Sequence, residues 1–449
     1  MPRARVSPAA NAPEPVHPGL VRAVSRWQLV GLAINDVVGS GIYLLPAAVA
    51  GLLGAASVWA VVLAGLAVAL LVLCFAEASS HFDQPGGAYL YAREAFGRFV
   101  GFEVGWMSWL SRAVALASLA NGLVQASTDL WPAAGSGSAR AAILCTAIVL
   151  LAWINIRGIK AGARTGVALA IAKMLPLIFF VVVGVWFIDG SRLALSHMPR
   201  SPAMGRAALL LLFAYGGFEN TPVAAGEYRN PRRDVPFALL FVILSVTLIY
   251  TAVQAVALGT VPNLAGSVSP LAEAAGRFAG HWGEWLLTLG ATLSILGIMS
   301  NSTLGAPRYL FALSRDGYGP SWLARVHPRY HTPALAIMAQ TVIVLVLALS
   351  GSFVRLATLS VIARLAAYIG TAAAVPILRR RMGTRAAGVR LPLGPVIPIA
   401  ALALAVGLLL SAKVSNLLPP AGALALGGVI YYFRRPAASV SSGPSQEGR

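Results

Sequence analysis

Charged residues are scarce in this sequence. Asp, Glu, Lys and Arg make up 11% of its 449 residues, whereas 58% are hydrophobic and the mean hydropathy is +0.76. Soluble domains typically carry about 25% charged residues. The composition therefore excludes a soluble protein. The alternating pattern of a porin strand is also absent, so we predict an all-α membrane protein.

Acidic residues are scarcer still, with 15 Asp and Glu against 34 Lys and Arg, which gives a net charge of +19. This excess does not indicate nucleic acid, because the cations cluster in short segments between apolar runs, such as Arg229, Arg232 and Arg233. With both termini in the cytoplasm, most of them lie on the inner side, as the positive-inside rule requires. We predict a multi-pass protein of the inner (plasma) membrane whose basic loops contact anionic lipid.

Cysteine and histidine offer no metal site. The two cysteines, Cys74 and Cys145, lie in apolar runs, and their spacing indicates neither a disulfide nor a metal site. His327 and His331 are four residues apart, but Pro328 follows the first and disfavours a helical metal pair. We therefore predict no metal and no cofactor.

Several classes of membrane protein lack their signature here. The sequence has no GxxxxGK[ST] phosphate loop and no large soluble segment, which argues against an ATP-driven pump. Too few acidic residues lie inside the apolar runs for a membrane enzyme, and there is no filter-like repeat of a channel. Secondary transport is the class that remains favoured.

Glycines interrupt two of about twelve apolar runs that are long enough to span a bilayer as helices. Gly39 and Gly41 fall within the first run, 28–50, and Gly216 and Gly217 within the sixth. A broken helix at membrane depth exposes polar backbone groups, so it is tolerated where it lines a cavity or binds a ligand. The alternative is a patch of small residues for helix packing.

The two breaks predict complementary charge. If the first helix unwinds at residues 39–41, a second half-helix begins there with free N–H groups and a positive dipole end, which favour a carboxylate. The hydroxyl of Ser40 adds a donor. If the sixth helix ends near Gly216, its last carbonyl groups are free and suit an ammonium. Together the breaks specify an α-amino acid, whose side chain would enter a pocket formed by the third, eighth and tenth helices.

Four motifs occur in order: GSGIY at 39–43, PGGAYLY at 85–91, FAYGGFE at 213–219 and SRDG at 314–317. In this order the chain resembles an amino acid permease of the amino acid, polyamine and organocation (APC) superfamily over roughly residues 27–380. The resemblance implies a five-plus-five inverted repeat with helices 1 and 6 broken and two C-terminal helices added. Its parts would be a cytoplasmic tail 1–26, repeats 27–190 and 204–378, helices 395–434 and a cytoplasmic tail 435–449.

The resemblance also assigns the site residue by residue. The substrate carboxylate would bind the amides of Ser40 and Gly41, beside Gly39. The ammonium would bind the carbonyl groups of Val37, Phe213, Ala214 and Gly216. Glu219 would lie behind the site as a gate or helix anchor, or would instead satisfy N–H groups that the break leaves free.

Lys173 is a cation about 14 Å into the fifth helix, at 1.5 Å per residue, so its amine does not easily reach the membrane surface. In proton-coupled relatives a similar lysine replaces a sodium ion, and desolvation of an amine makes release of its proton easier. We predict Lys173 as the coupling residue. The alternative is a permanent cation bonded to carbonyl groups of the broken first helix.

Asp36 and Arg112 are further charges inside helices, and a small residue is common in relatives where Asp36 stands. We expect the two to neutralise one another, because two buried partners cost less than either alone. The alternative makes Asp36 a proton site or a selector for cationic side chains. Arg364 in the tenth helix is expected to be paired in the same way, with a partner that the sequence does not identify.

These features predict a secondary active transporter, not an enzyme, that carries an amino acid by alternating access with proton symport. Exchange of amino acids is an alternative that the sequence does not separate from symport. A membrane sensor that binds an amino acid without moving it is a third possibility, although the loops offer no signalling domain. The identity of the amino acid and the oligomeric state are left open by the sequence.

Overall fold

A computed structural model describes residues 22–39, 41–128, 132–194, 201–267, 269–350, 353–382, 389–410 and 414–434. Within these ranges the chain forms fourteen α-helices and no β-strand. The helices are α1 Arg26–Val37, α2 Gly41–Leu53, α3 Ser57–Ser80, α4 Ala88–Phe96, α5 Arg98–Thr128, α6 Gly137–Ile156, α7 Ile159–Gly184, α8 Ser201–Tyr215, α9 Pro231–Thr260, α10 Pro270–Arg315, α11 Ala334–Ser350, α12 Phe353–Met382, α13 Val396–Leu410 and α14 Val414–Arg434.

The fold is that of a multi-pass membrane protein. Six helical stretches in the described chain are long and apolar enough to cross a bilayer, and shorter apolar helices accompany them. A helix or a pair of helices covers most of each of the twelve predicted runs. The count of twelve spans, the inverted repeat and the domain boundaries nevertheless stay predictions. Most of the predicted N-terminal tail, 1–21, and the C-terminal tail, 435–449, lie outside the described residues.

Both predicted interruptions coincide with helix ends. Helix α1 ends at Val37, the next residue has extended backbone, and α2 begins at Gly41. Helix α8 ends at Tyr215, and a 3₁₀ segment, Phe218–Glu227, follows. Gly217 has φ +124°, a conformation that glycine adopts without the clash that a Cβ atom would cause. Both helices therefore end within two residues of a glycine.

Long helices surround the two breaks, and one of them, α10, is kinked at Gly280, where φ is +63°. Helix α3 packs along α9, α5 packs along α12, and α7 packs along α10. Helix α1 lies against α7, α9 and α10, whereas α2 lies against α8. The interrupted helices are thus held between long helices.

The segment before α1 is pinned to the end of the 3₁₀ segment. The amides of Ala23 and Val24 donate to the carbonyl oxygen of Glu227 at 3.0 and 3.1 Å, and the amide of Arg229 donates back to Val24 at 3.0 Å. The carboxylate of Glu227 accepts two bonds from the guanidinium of Arg308, at 2.9 and 3.1 Å. We call these five residues the N-terminal clasp. It connects the segment before α1 to the 3₁₀ segment and to α10.

The ion pair in the N-terminal clasp has a testable effect on stability. Glu227 and Arg308 are each 1% exposed, so Glu227→Gln leaves a buried, unpaired guanidinium. Loss of one partner of such a pair costs about 3–5 kcal/mol, and we expect a clearly lower midpoint of thermal unfolding in detergent. Glu273→Gln is the matched control, because Glu273 and Arg277 form an exposed pair that is worth at most about 1 kcal/mol. Equal midpoints for the two variants would contradict the prediction.

Candidate substrate site

A cavity lies between the two breaks and the helices that face them, with about 710 Å³ of space between protein atoms, part of it open to solvent. We call it the substrate cavity. Its floor and walls come from both broken helices and from α5, α10 and α12. The lining residues are Asp36, Val37, Gly39, Gly41, Arg112, Ala115, Ser118, Leu119, Ala214, Gly216, Gly217, Asn220, Ile298, Ser302, Ser360 and Arg364.

The structure brings most of the predicted binding residues to this cavity. The five that line it are Val37, Gly39, Gly41, Ala214 and Gly216. Ser40 lies outside the described residues, as does the side chain of Phe213, whose backbone belongs to the last turn of α8. The sequence predicted a side-chain pocket from the third, eighth and tenth helices, which are α5, α10 and α12, but assigned no residue of it. Ser302, Ser360 and similar small polar residues in apolar helices carry no distinctive signal.

The first break presents the start of a helix to the cavity. Gly41 is the first residue of α2, so its amide is one of the N–H groups without a partner inside the helix. This end also carries the positive part of the helix dipole, and both features favour an anion. A Cβ atom on Gly41 would lie 3.4 Å from the Cα atom of Ala214, within van der Waals contact, so the two breaks lie next to one another.

The carbonyl groups beside the breaks are partly occupied by a tyrosine. The hydroxyl of Tyr250, on α9, lies 3.1 Å from the carbonyl oxygen of Val37 and 3.3 Å from that of Ala214. The single hydroxyl proton of Tyr250 is shared between the two carbonyl oxygens. Both oxygens can accept a further hydrogen bond, since each carbonyl has two lone pairs. Tyr250 thus joins the two breaks, a role that nothing in its apolar sequence context indicated.

Lys173 lies on α7 behind the first break. Its ammonium donates to the carbonyl oxygen of Asn35 at 2.7 Å and to that of Val38, and the side chain is fully buried. The hydroxyl of Tyr43, on α2, donates to the carbonyl oxygen of Lys173 at 2.9 Å. Lys173 therefore contacts both halves of the broken helix, and it is not among the residues that line the substrate cavity.

The predicted contact between Asp36 and Arg112 is present. Their side chains form an ion pair with 3.0 Å between Arg112 Nη1 and Asp36 Oδ2, and both are nearly inaccessible to solvent. Arg112 Nη2 also donates to the carbonyl oxygen of Asn301 at 2.9 Å, and the side-chain Nδ2 of Asn301 donates to the carbonyl oxygen of Leu32 at 2.8 Å. One guanidinium thereby connects α1, α5 and α10.

Glu219 satisfies the second break and pairs with the cation whose partner the sequence did not identify. Its Oε2 atom accepts bonds from the amide of Gly217 at 2.9 Å and from the hydroxyl of Tyr368 at 3.0 Å. Its Oε1 atom lies 3.0 Å from Nε of Arg364, which lines the cavity. Glu219 thus holds a backbone N–H group that the break leaves free and connects the break to α12.

Comparisons with known proteins identify a family. The chain matches the model of a family described as amino acid permease over residues 24–437. It is 30% identical to the serine/threonine exchanger SteT of Bacillus subtilis over 398 residues. The aligned region covers 86% of this chain and 90% of that protein. It is 29% identical to the methylthioribose transporter of the same species, over 85% of this chain and 86% of that protein. It is 27% identical to the branched-chain amino acid permease BcaP, also of Bacillus subtilis, over 92% of this chain and 93% of that protein.

Gly217 provides a direct test of how closely the breaks pack. Gly217→Ala places a Cβ atom against the carbonyl group of Asp36 at a φ of +124°, so we expect strain of about 1–3 kcal/mol, a lower unfolding midpoint and loss of uptake. Gly407→Ala is the control, because nothing lies near Gly407 in α13 and alanine favours a helix. Unchanged substrate uptake by Gly217→Ala would show that the ends of α1 and α8 can move apart without loss of transport.

Proposed function

This chain belongs to the amino acid permease family, and on that premise we propose that it is a secondary transporter that carries an amino acid across the membrane by alternating access. The observation that carries the proposal is one cavity that receives both the N-terminal end of α2 and the carbonyl groups at the ends of α1 and α8. An α-carboxylate and an α-ammonium are the two groups that such an arrangement complements.

The proposed pose follows from the polarity of the breaks. The substrate carboxylate binds at the amide of Gly41, and the ammonium binds at the free lone pairs of Val37 and Ala214, with Gly216 beside them. The side chain then points towards α5, α10 and α12, where the lining residues include Ala115, Ser302 and Ser360. Small side chains, hydroxylated ones in particular, match this wall. The name of the serine/threonine exchanger relative supports the same class.

Lys173 is the proposed coupling group. A proton on its amine holds the carbonyl groups of Asn35 and Val38, at the end of α1. Release of that proton weakens both bonds and frees the broken helix to move, which would link proton transfer to alternating access. We favour proton symport on this ground, in the inner membrane with both termini in the cytoplasm. Exchange is the competing mode, because one relative is described as an exchanger.

A thermal-shift screen tests the substrate class. The purified protein is heated with each of the twenty amino acids, with common polyamines and with methylthioribose. We expect a small polar amino acid to raise the unfolding midpoint, since a ligand at about 100 times its Kd stabilises the native state by about 2.7 kcal/mol. Two analogues of the best ligand serve as controls, one without its carboxylate and one without its ammonium, and neither should shift the midpoint.

Two outcomes of the screen would contradict the proposal. A shift with methylthioribose or a polyamine alone would overturn the amino acid assignment. Equal shifts with the two truncated analogues would show that the breaks do not recognise the backbone of an amino acid.

Lys173→Gln separates coupling from binding in proteoliposomes. We expect accumulation driven by an imposed proton gradient to fall to the level of protein-free vesicles, whereas counterflow of labelled substrate persists, because counterflow needs no net proton transfer. Loss of both activities would assign Lys173 a structural role. Counterflow without gradient-driven accumulation in the unaltered protein would favour exchange over symport.

A further inference from the structure

A second cavity lies next to the substrate cavity. We call it the inner cavity; Leu29, Ala33, Thr221 and Tyr228 are among the residues that line it and do not line the substrate cavity. Three residues line both: Asp36, Arg112 and Asn220. The ion pair of Asp36 and Arg112 therefore stands where the two cavities meet.

The order of residues along the helices shows that the cavities lie on opposite sides of this pair. Leu29 and Ala33 of the inner cavity precede Asp36 on α1, whereas Val37 and Gly39 of the substrate cavity follow it in the chain. On α5, Ala115 and further substrate-cavity residues follow Arg112. The two spaces are thus stacked along the helices, with the charged pair between them.

The barrier is built from groups that can separate. Arg112 is held by Asp36 at 3.0 Å and by the carbonyl oxygen of Asn301 at 2.9 Å. A Cβ atom on Gly305 would lie 3.1 Å from Arg112 Nη2, so glycine gives the guanidinium room to lie against α10. Asp36 lies in the last turn of α1, so its carboxylate stands next to the first break.

The inner cavity reaches towards the N-terminal clasp. Tyr228 lines it, and the residues on either side of Tyr228, Glu227 and Arg229, make the backbone bonds that hold the clasp. A path from the substrate cavity past Asp36 and Arg112 therefore leads into the inner cavity and ends at the clasp. The described chain has two closures in series on this side.

We propose that the Asp36/Arg112 ion pair is the gate between the substrate cavity and the inner cavity, and that the transported molecule leaves on the side of the chain termini when this pair separates. The proposal rests on the proposed function only in taking the substrate cavity as the transport site. Asp36 directly precedes Val37, at which the substrate ammonium is proposed to bind. A bound cation there competes with Arg112 for the carboxylate, which gives the substrate a means of loosening the gate.

Thiol labelling measures this gate without any substrate. In a background with Cys74→Ala and Cys145→Ala, Thr221→Cys places a thiol in the inner cavity and Ser302→Cys places one in the substrate cavity. Both replacements are close in size to the original residue, and Thr221 Oγ1 has no hydrogen-bond partner to lose among the described residues. A charged, membrane-impermeant methanethiosulfonate is added on the face opposite the termini, which a tag on the C-terminal tail identifies.

With the ion pair intact, we expect Ser302→Cys to react from that face and Thr221→Cys to be protected. Removal of both charges by Asp36→Asn with Arg112→Gln should raise the labelling rate of Thr221→Cys about tenfold or more, the effect of about 1.4 kcal/mol on the equilibrium between closed and open. An unchanged rate would overturn the proposal. So would rapid labelling of Thr221→Cys while the pair is intact.

A matched control removes the other ion pair of the cavity. Glu219→Gln with Arg364→Gln makes the same change in charge, but neither residue lines the inner cavity, so Thr221→Cys should stay protected. If the double-neutral variant is not monodisperse after purification, Asp36→Asn alone breaks the pair while Arg112 keeps Asn301, and the same rise is expected. Because labelling needs no ligand, a wrong substrate assignment leaves this result intact, and a failed gate leaves the thermal-shift result intact.

Discussion

The structure depends on the need to satisfy the backbone polar groups that two broken helices expose inside a membrane. Each unsatisfied N–H or C=O group in hydrocarbon costs several kcal/mol. At the first break, Lys173 and Ser294 both donate to the carbonyl group of Val38. At the second, Glu219 accepts from the amide of Gly217, and Asn220 donates to its carbonyl oxygen. The hydroxyl of Tyr250 contacts the carbonyl groups of Val37 and Ala214 in the same way.

The two ion pairs beside the substrate cavity follow the same division between broken and continuous helices. Both carboxylates stand at breaks, Asp36 in the last turn of α1 and Glu219 just after α8, whereas the cations stand on continuous helices, Arg112 on α5 and Arg364 on α12. Each ion pair therefore connects an interrupted element to an uninterrupted one. Movement of the broken helices against their surroundings must lengthen or exchange these contacts, which makes the pairs sensitive to the conformational state.

The sequence predicted features that local residue types indicate, such as the helix ends. It did not predict contacts between residues that are far apart in the chain. The glycines at 39, 41, 216 and 217 indicated the helix ends because glycine in an apolar run is a local signal. Asp36 and Arg112 were matched because a buried charge needs a partner. Tyr250 and the pairing of Glu219 with Arg364 were not found, because these contacts join residues far apart in the chain and their residue types fit an ordinary apolar or polar helix equally well.

Loss of the charge on Lys173 would leave no unpaired charge behind, unlike loss of a charge from either ion pair beside the substrate cavity. Neutralisation of Asp36, Arg112, Glu219 or Arg364 leaves an oppositely charged partner buried and unpaired, at a cost of about 3–5 kcal/mol. Among the described contacts, the ammonium of Lys173 binds carbonyl oxygens and takes part in no ion pair. A proton can therefore leave this amine without stranding a charge. Of the five groups, Lys173 is the one whose protonation can change within a transport cycle at the lowest cost in buried charge.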